Sequence, residues 1–385
     1  MGKDIIITGC RQPSISFVDI VTGEVRPDIW KNLQEGLWRE FCIENYLTND
    51  RIGEVEQNKW LPVFPDIKVI NPGFKWNSSK KIIEEDLYKP KHVEASLNTF
   101  LCKAEMFFHQ FDGKKIGVHL SGGLDSSLII CLLKYFNIPF VAIGLCSNRF
   151  EFRTEKHIQE LLGNFANEAE LYDMDDYPFF AHLDKKPKHQ VPDSNIKMID
   201  ASTHLANKFK EKGCDVVFSG QGGDTLLAES IGGRSFNGYN IGNEFLFPWE
   251  RDFLYDPLGI ELLSFFSAPD IIDQITSLRS DKPSDPLKIW ARNFFKEILP
   301  RELSEYSYSA DFLGYSMDGL HNAKPEFELL FEEAHERLGH PMFSAKGIKH
   351  LLNTDLLALE YNTYCEFCSK LSIAVWVHSL FRKDD

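Results

Sequence analysis

Between residues 115 and 218, short apolar runs alternate with longer stretches whose apolar residues recur at helical spacing. This alternation constrains the fold more than any other feature of the chain. It predicts strands at 115–120, 140–145, 169–172 and 215–218, with helices at 126–135, 154–165 and 196–210 between them. Strands separated by helices pair in parallel, because each helix carries the chain back to the edge where the previous strand began, and such crossovers are right-handed. The expected fold class is therefore α/β, a parallel sheet with flanking helices. A further helix is expected at 93–111, and β signals fade after about residue 225, which predicts a helical C-terminal part.

Residues 1–90 follow a different pattern. Strand signals at 4–8, 14–20 and 68–70 are punctuated by the turn residues Thr22-Gly23 and Asn71-Pro72-Gly73. Asp28 is placed to cap a helix that carries Trp30, Leu33, Leu37 and Phe41 on one face. Residues 84–90 read as a linker. The expected organisation is a small α+β N-terminal domain over 1–90 and a larger unit over 91–385.

Composition limits the function. A net charge of −15 argues against a nucleic-acid partner, which needs Lys- and Arg-rich surface. No apolar run reaches the length of a bilayer span, so no membrane association is expected. The apolar part of MGKDIIITGC is too short for a signal peptide, and Ile6 stands where a myristoylation motif wants Ser or Thr. These features predict a cytoplasmic protein with reduced thiols. The eight cysteines are scattered apart from Cys365 and Cys368. A single C-x-x-C in a helix-patterned, Leu- and aromatic-rich stretch reads as buried thiols, since a structural zinc site needs a second pair.

Ligands of an open parallel sheet gather outside the carboxyl ends of its strands, and two such ends carry unusual sequence. In IGVHLSGGLDSSLIICLL (116–133), Ser121-Gly122-Gly123 closes a strand and Asp125 opens a helix. The glycines let backbone approach a ligand, and the N–H groups of the turn and the helix start favour an anion. Ser121, Ser126 and Ser127 add hydroxyl donors. Asp125 would repel a bare phosphate but suits a Mg²⁺ that bridges carboxylate and phosphate oxygens. No Lys follows the glycines, so this is neither G-x-x-x-x-G-K-[ST] nor G-x-G-x-x-G. A plain helix-capping turn is the alternative, although capping does not call for a glycine pair together with Asp. The second end is DVVFSGQGGDTLLAE (215–229), where Ser219 to Gly223 form a turn and Asp224 opens the next segment. Asp125 and Asp224 are expected to share one Mg²⁺; the alternative for Asp224 is a helix N-cap.

Ser121-Gly-Gly-Leu-Asp-Ser-Ser127 resembles the pyrophosphate loop of the N-type ATP pyrophosphatases (the PP-loop, adenine nucleotide α-hydrolase-like fold). Within that superfamily the chain resembles the synthetase domain of the asparagine synthetase family, which includes β-lactam synthetases and lasso-peptide cyclases. VPDSN (191–195), the helix after it and DVVFSGQGGDTLLA are similar to the family's proline-led segment, helix and second glycine loop. DPLGIELLSFF (256–266), KIWARNFFKEILP (288–300) and GYS (314–316) resemble further landmarks, so the likeness covers roughly residues 95–385. The resemblance implies an ATP- and Mg²⁺-dependent ligase or cyclase that adenylates a carboxylate, releases pyrophosphate, and passes the acyl group to an amine. It assigns the pyrophosphate grip to Ser121, Gly122, Gly123, Asp125, Ser126 and Ser127. Leu120, Ile143, Gly144 and Leu145 would line the nucleotide. Ser219, Gly220 and Gly222 would bring the second loop to the reacting centre, with Asp125 and Asp224 as metal carboxylates. The implied partners are a carboxylate substrate and an amine, small molecule or peptide; the N-terminal domain would recognise a peptide or protein, or cover the synthetase domain.

Three departures shape these expectations. Gly2 follows Met1 where the family's glutaminase carries its nucleophilic Cys, and the N-terminal unit is shorter than that domain. VINPGFKW (69–76) resembles the domain's tail, which suggests a shortened relic without glutaminase activity. Gln221 stands where asparagine synthetases place Glu and β-lactam synthetases Tyr. An amide orients a substrate but cannot act as a base, which leaves Glu229, Glu250 and Glu261 as unranked candidates. Tyr306 stands where the family usually has a Lys that steadies adenylation. Lys282, Lys288, Arg292 and Arg301 are candidates for the missing charge, Arg292 first because its neighbours match a family segment. Catalytic roles are thus expected for Gln221, Arg292 and Tyr306. Two other readings stay open: a tRNA-modifying enzyme of the same superfamily, which the charge and cysteine placement disfavour, and a non-catalytic nucleotide-binding relative, for which Gln221 and Tyr306 speak.

Overall fold

A computed structural model describes residues 16–26, 62–64, 66–70, 74–85, 90–186, 197–228, 250–279, 287–305, 313–344 and 361–382. At the N-terminal end, β1 (Ser16–Asp19), β2 (Val25–Arg26), β3 (Pro62–Phe64) and β4 (Ile67–Ile70) form an antiparallel sheet in the order β2-β1-β4-β3. The Asp19 carboxylate accepts hydrogen bonds from the backbone N–H groups of Val21 and Thr22, each at 2.9 Å, and so pins the turn at Thr22-Gly23. A hairpin of β5 (Phe74–Asn77) and β6 (Ile82–Glu85) follows. The linker expected from residue 84 therefore begins late, because Glu84 and Glu85 pair with Lys75 and Phe74 across that hairpin. The strand expected at 4–8 and the helix expected after Asp28 lie outside the described residues.

The central sheet is built from β7 (Ile116–His119), β8 (Phe140–Cys146), β9 (Glu168–Asp173), β10 (Val216–Ser219) and β11 (Glu261–Ser264). All its pairings are parallel and its order is β11-β10-β7-β8-β9. Helix α1 (Leu97–His109) precedes it, while α2 (Leu124–Tyr135), α3 (Arg153–Gly163) and α4 (Ile199–Glu211) form the crossovers. Helix α1 starts later than its apolar pattern because Ser96 and Thr99 make a reciprocal capping box, Ser96 Oγ accepting from Thr99 N and Thr99 Oγ1 from Ser96 N. Strand β11 was not anticipated. It is a four-residue edge strand inside helix-rich sequence, and only its register against β10 gives it a reason to be extended.

Strand alternation divides the core. Val216 and Phe218 face the layer that contains Phe100, Phe108, Leu128, Ile129 and Phe265, whereas Val217 faces Ile199, Leu205 and Phe209 of α4. Burying a side chain such as Phe218 contributes roughly 2–3 kcal/mol. Gly117 makes room on the α4 face, since a Cβ there would come 2.7 Å from the Phe209 ring. The chain runs outward from β7 through β8 to β9, then returns past β7 to form β10 on its other side. The strand order therefore reverses between β7 and β10, the place where a ligand crevice opens in sheets of this kind.

Beyond the sheet come α5 (Pro269–Arg279), α6 (Ile289–Phe294), α7 (Arg301–Glu305), α8 (Leu313–Leu338) and α9 (Tyr361–Phe381), the expected helical C-terminal part. Phe327, Phe331, Phe367, Leu371 and Trp376 form a core between α8 and α9, and Phe17 of β1 and Ile67 of β4 belong to the same cluster. Cys368 is buried there; the side chain of Cys365 lies outside the described residues. Among the described residues, no helix is long and apolar enough to cross a membrane.

Candidate active site

Both glycine turns leave strands that flank the reversal point, β7 and β10. At the first, Gly122 sits at φ +78, a left-handed conformation that side chains resist, and its α-carbon lies against α3: a Cβ there would come 2.7 Å from the Glu155 carbonyl oxygen. Gly123 occupies the cap position of α2, and no side chain caps that terminus. Instead the hydroxyls are tied to the loop itself. Ser121 Oγ and Ser126 Oγ lie 2.6 Å apart, and Ser127 Oγ donates to the Gly123 carbonyl at 2.6 Å. The first-turn N–H groups of α2 thus face the loop with the positive end of the helix dipole and no side-chain cap. An uncapped helix start of this kind favours an anion.

The second turn packs directly on the first. A Cβ on Gly220 would come 2.7 Å from Ser126 N, and one on Gly223 would overlap the Asp125 side chain. Gly222, at φ +80, turns the loop so that Leu226 N can donate to its carbonyl at 3.0 Å and start the π-helical segment Asp224–Ala228. Ser219 Oγ accepts from Gln221 N, and Ser264 Oγ of β11 donates to the Gln221 carbonyl at 2.6 Å. Neighbouring strand ends therefore hold the loop from both sides.

Asp125 and Asp224 converge on one point. Lys288, the residue before α6, places Nζ 2.7 Å from both Asp125 carboxylate oxygens and 2.5 Å from Asp224 Oδ1. Burial pushes the Asp125 carboxyl up to about 6, against the opposing pull of Lys288. Burial alone would lower the Lys288 ammonium, yet the two aspartates hold it above its ordinary value. Asp224 thus shares the Lys288 ammonium with Asp125. Among the described residues no three His, Cys, Asp or Glu side chains cluster as a metal site. Two carboxylates directed at one cation nevertheless suit Mg²⁺, which takes its remaining ligands from water and phosphate oxygens.

The other expected residues divide. Arg292 is buried, with Nε on the Leu287 carbonyl at 3.1 Å and Nη1 on the Leu303 carbonyl, so it holds the chain on either side of α6. The cation between the aspartates is Lys288, one of the four basic residues named from sequence. Arg301 is exposed and paired with Glu305. Glu261 begins β11, at the sheet edge opposite the glycine turns, and pairs with Lys114; strand polarity removes it from the candidate bases. Tyr306, Lys282 and Glu229, like the segment 191–195, lie outside the described residues.

Glu250, unranked among the candidate bases, is placed against Gln221. Its Oε2 accepts from Gln221 Nε2 at 3.3 Å and its Oε1 from Ser202 Oγ of α4 at 2.9 Å. Burial holds its carboxyl above the usual range, despite these two donors. Among the described residues, Gln221 Oε1 is buried without a hydrogen-bond partner. Nearby on the same face of the sheet, His119 Nε2 lies 2.8 Å from the Tyr255 hydroxyl, and burial drops the imidazole to about 4, so it is neutral at physiological pH.

Leu120, Ile143, Gly144 and Leu145 form the wall beside the first turn. Leu120 N donates to the Ile143 carbonyl at 2.9 Å, and Gly144 runs so close to Leu120 that a Cβ would overlap its carbonyl oxygen. Gln159 of α3, buried, donates through Nε2 to the Leu120 carbonyl at 2.8 Å and the Leu145 carbonyl at 2.7 Å. Beyond Leu145, Ser147 Oγ meets the Tyr315 hydroxyl at 2.6 Å, and the Arg149 guanidinium lies 3.7 Å from the Tyr315 ring centroid, which brings the GYS landmark to the end of β8.

The asparagine synthase family model matches residues 109–317, more than half of the chain. The chain belongs to the asparagine synthase family. The match spans both glycine turns, Glu250, Lys288 and Tyr315, so the site just described lies inside the asparagine synthase domain. This is a family of ATP-using synthetases, and the matched residues contain the parallel α/β sheet. Among solved structures, the NMN synthetase from Francisella tularensis is similar at 15% identity, covering 60% of this chain and 95% of that chain, with a TM-score of 0.27. No curated protein matches.

Sequence reasoning did not single out Gln159, Ser202 or Ser264 in this site, and named Gly223 only as part of the second turn. Gly223 had a visible signal, a third glycine next to Asp224. A lone Gln on an amphipathic helix, and serines far apart in sequence, carry none.

Proposed function

We propose that the protein is an AMP-forming carboxylate–amine ligase or cyclase. ATP adenylates a carboxylate with release of pyrophosphate, and an amine attacks the activated carbonyl to give an amide and AMP. The observation that carries this reading is the convergence of Asp125 and Asp224 on a single cation between two interlocked glycine turns at the reversal point of the sheet.

In this reading the uncapped start of α2 and the hydroxyls of Ser121 and Ser126 hold the pyrophosphate portion of ATP and stabilise its charge as it leaves. Asp125 and Asp224 would hold Mg²⁺, which supplies charge neutralisation at the phosphates when bound. The wall at Leu120 and Ile143–Leu145 seats the nucleoside, kept rigid by Gln159. Gln221 Oε1 accepts a hydrogen bond from the incoming amine, and Glu250 takes its proton. A carboxyl raised by burial is a better base near neutral pH than an exposed Glu.

Carboxylate-dependent exchange of labelled pyrophosphate into ATP tests the first half-reaction. Exchange is expected with the cognate acid and should fall at least a hundredfold in D125N and in D224N. Nucleotide binding without exchange across a broad set of carboxylates and tRNA would favour a non-catalytic relative instead.

A further inference from the structure

Lys288 is unusual on several independent counts. Its backbone sits at φ +55, ψ 35, a left-handed conformation that costs strain in a residue with a Cβ. Its side chain is only 9% exposed, and its Nζ contacts both aspartates at once. The supports of α6 hold it there. Arg292 anchors the Leu287 carbonyl immediately before it, and Trp290 Nε1 donates at 2.6 Å to the Leu227 carbonyl, in the segment that Asp224 begins. Arg279 Nη1 grips the neighbouring Leu226 carbonyl at 2.7 Å. The lysine and the second aspartate are therefore braced against each other by the same three side chains.

An ammonium so placed has a consequence for cation binding. Nζ occupies the point where the two carboxylates meet, and a second cation brought to that point would be repelled. The charges facing Lys288 Nζ are Asp125 from α2 and Asp224 from the second turn, with Arg292 behind it on α6.

We propose that Lys288 is a built-in place-holder for the divalent ion: it keeps Asp125 and Asp224 together in the free enzyme, excludes metal in the absence of nucleotide, and yields the carboxylates only when incoming phosphates provide its ammonium with a new partner. This rests on the assignment of Asp125 and Asp224 as metal carboxylates. It makes metal and nucleotide load together, and it protects a closely packed pair of acidic loops from falling apart between turnovers. Lys288 is in this sense a positioning residue.

The test is Mn²⁺ titration of the full chain without nucleotide, with free Mn²⁺ read by electron paramagnetic resonance. Wild type and K288R are expected to take up Mn²⁺ weakly, and K288M at least tenfold more tightly. Adding the non-hydrolysable α,β-methylene ATP should raise Mn²⁺ affinity in wild type and change it little in K288M. Equal or weaker Mn²⁺ binding by K288M overturns the proposal. If K288M does not fold, thermal melts of wild type decide: stabilisation by Mn²⁺ with the analogue but not by Mn²⁺ alone supports the lysine, and stabilisation by Mn²⁺ alone overturns it. Tighter Mn²⁺ binding by K288M in a protein that shows no pyrophosphate exchange would sink the ligase reading and leave the lysine's role standing.

Discussion

At the scale of single residues, the site depends on what is missing as much as on what is present. Gly223 has no Cβ because the Asp125 side chain fills that space. G223A should push the two turns apart and lower ATP binding at least tenfold, measured by calorimetry, while the circular dichroism spectrum stays unchanged. Glu250 is the residue whose replacement separates stability from activity. Its folded carboxyl is raised by burial, so the folded protein holds that proton more tightly than the unfolded chain. Its contribution to stability is complete below the unfolded pKa and is lost as pH rises through the folded one. E250Q should therefore melt higher than wild type at pH 8, and amide formation should fall by about 10²–10⁴. In wild type the acid limb of the pH–rate profile should lie above that of an ordinary Glu. An E250Q enzyme of full activity would remove Glu250 from the chemistry.

At the scale of elements, the site is a set of strand ends held in register by side chains from helices. Gln159 is the clearest case, since one amide on α3 satisfies carbonyls at the ends of both β7 and β8. Q159L leaves two buried acceptors without that donor and should cost about 1–3 kcal/mol in a denaturant melt. Because those carbonyls belong to the proposed nucleoside wall, KM for ATP should rise more than kcat falls. Sequence pattern foresaw most of these elements and misjudged a few for physical reasons. Helix α1 begins at its capping box rather than where its apolar pattern begins, and β11 is extended only because β10 offers an open edge. The glycine turns were legible because close backbone approach leaves a composition signature. Glu250 carried none: it stands 29 residues beyond Gln221 in sequence, and the two meet only in the folded protein.

For the whole molecule, a neutral buried imidazole next to the sheet sets a limit on acid stability. His119 has its ordinary pKa in the unfolded chain and about 4 in the folded protein. The unfolded state thus binds the extra proton between those values, and stability present above about pH 6.5 is lost as pH falls toward 4. The loss attributable to this one group is about 2–3 kcal/mol. H119N should flatten stability across that window in denaturant titrations at successive pH values, and an unchanged slope would assign acid lability elsewhere. The N-terminal strands bear on the same scale. Phe17 and Ile67 lie in the core shared by α8 and α9, so the sheet they belong to is packed on the helical C-terminal part.

The amino-acid sequence by itself determined the parallel α/β sheet, the two glycine turns with their aspartates, and the family, because each leaves a local mark: periodicity for strands and helices, and small residues where backbone must come close. What only the tertiary structure decided was which distant groups serve those turns. Lys288 between the aspartates, Glu250 and not Glu261 beside Gln221, and Gln159 across two strand ends are all outcomes of packing. A charge or an amide looks the same in sequence whether it faces water or a neighbour, and its partner is set by which strand end and which helix face the fold brings within 3 Å or so.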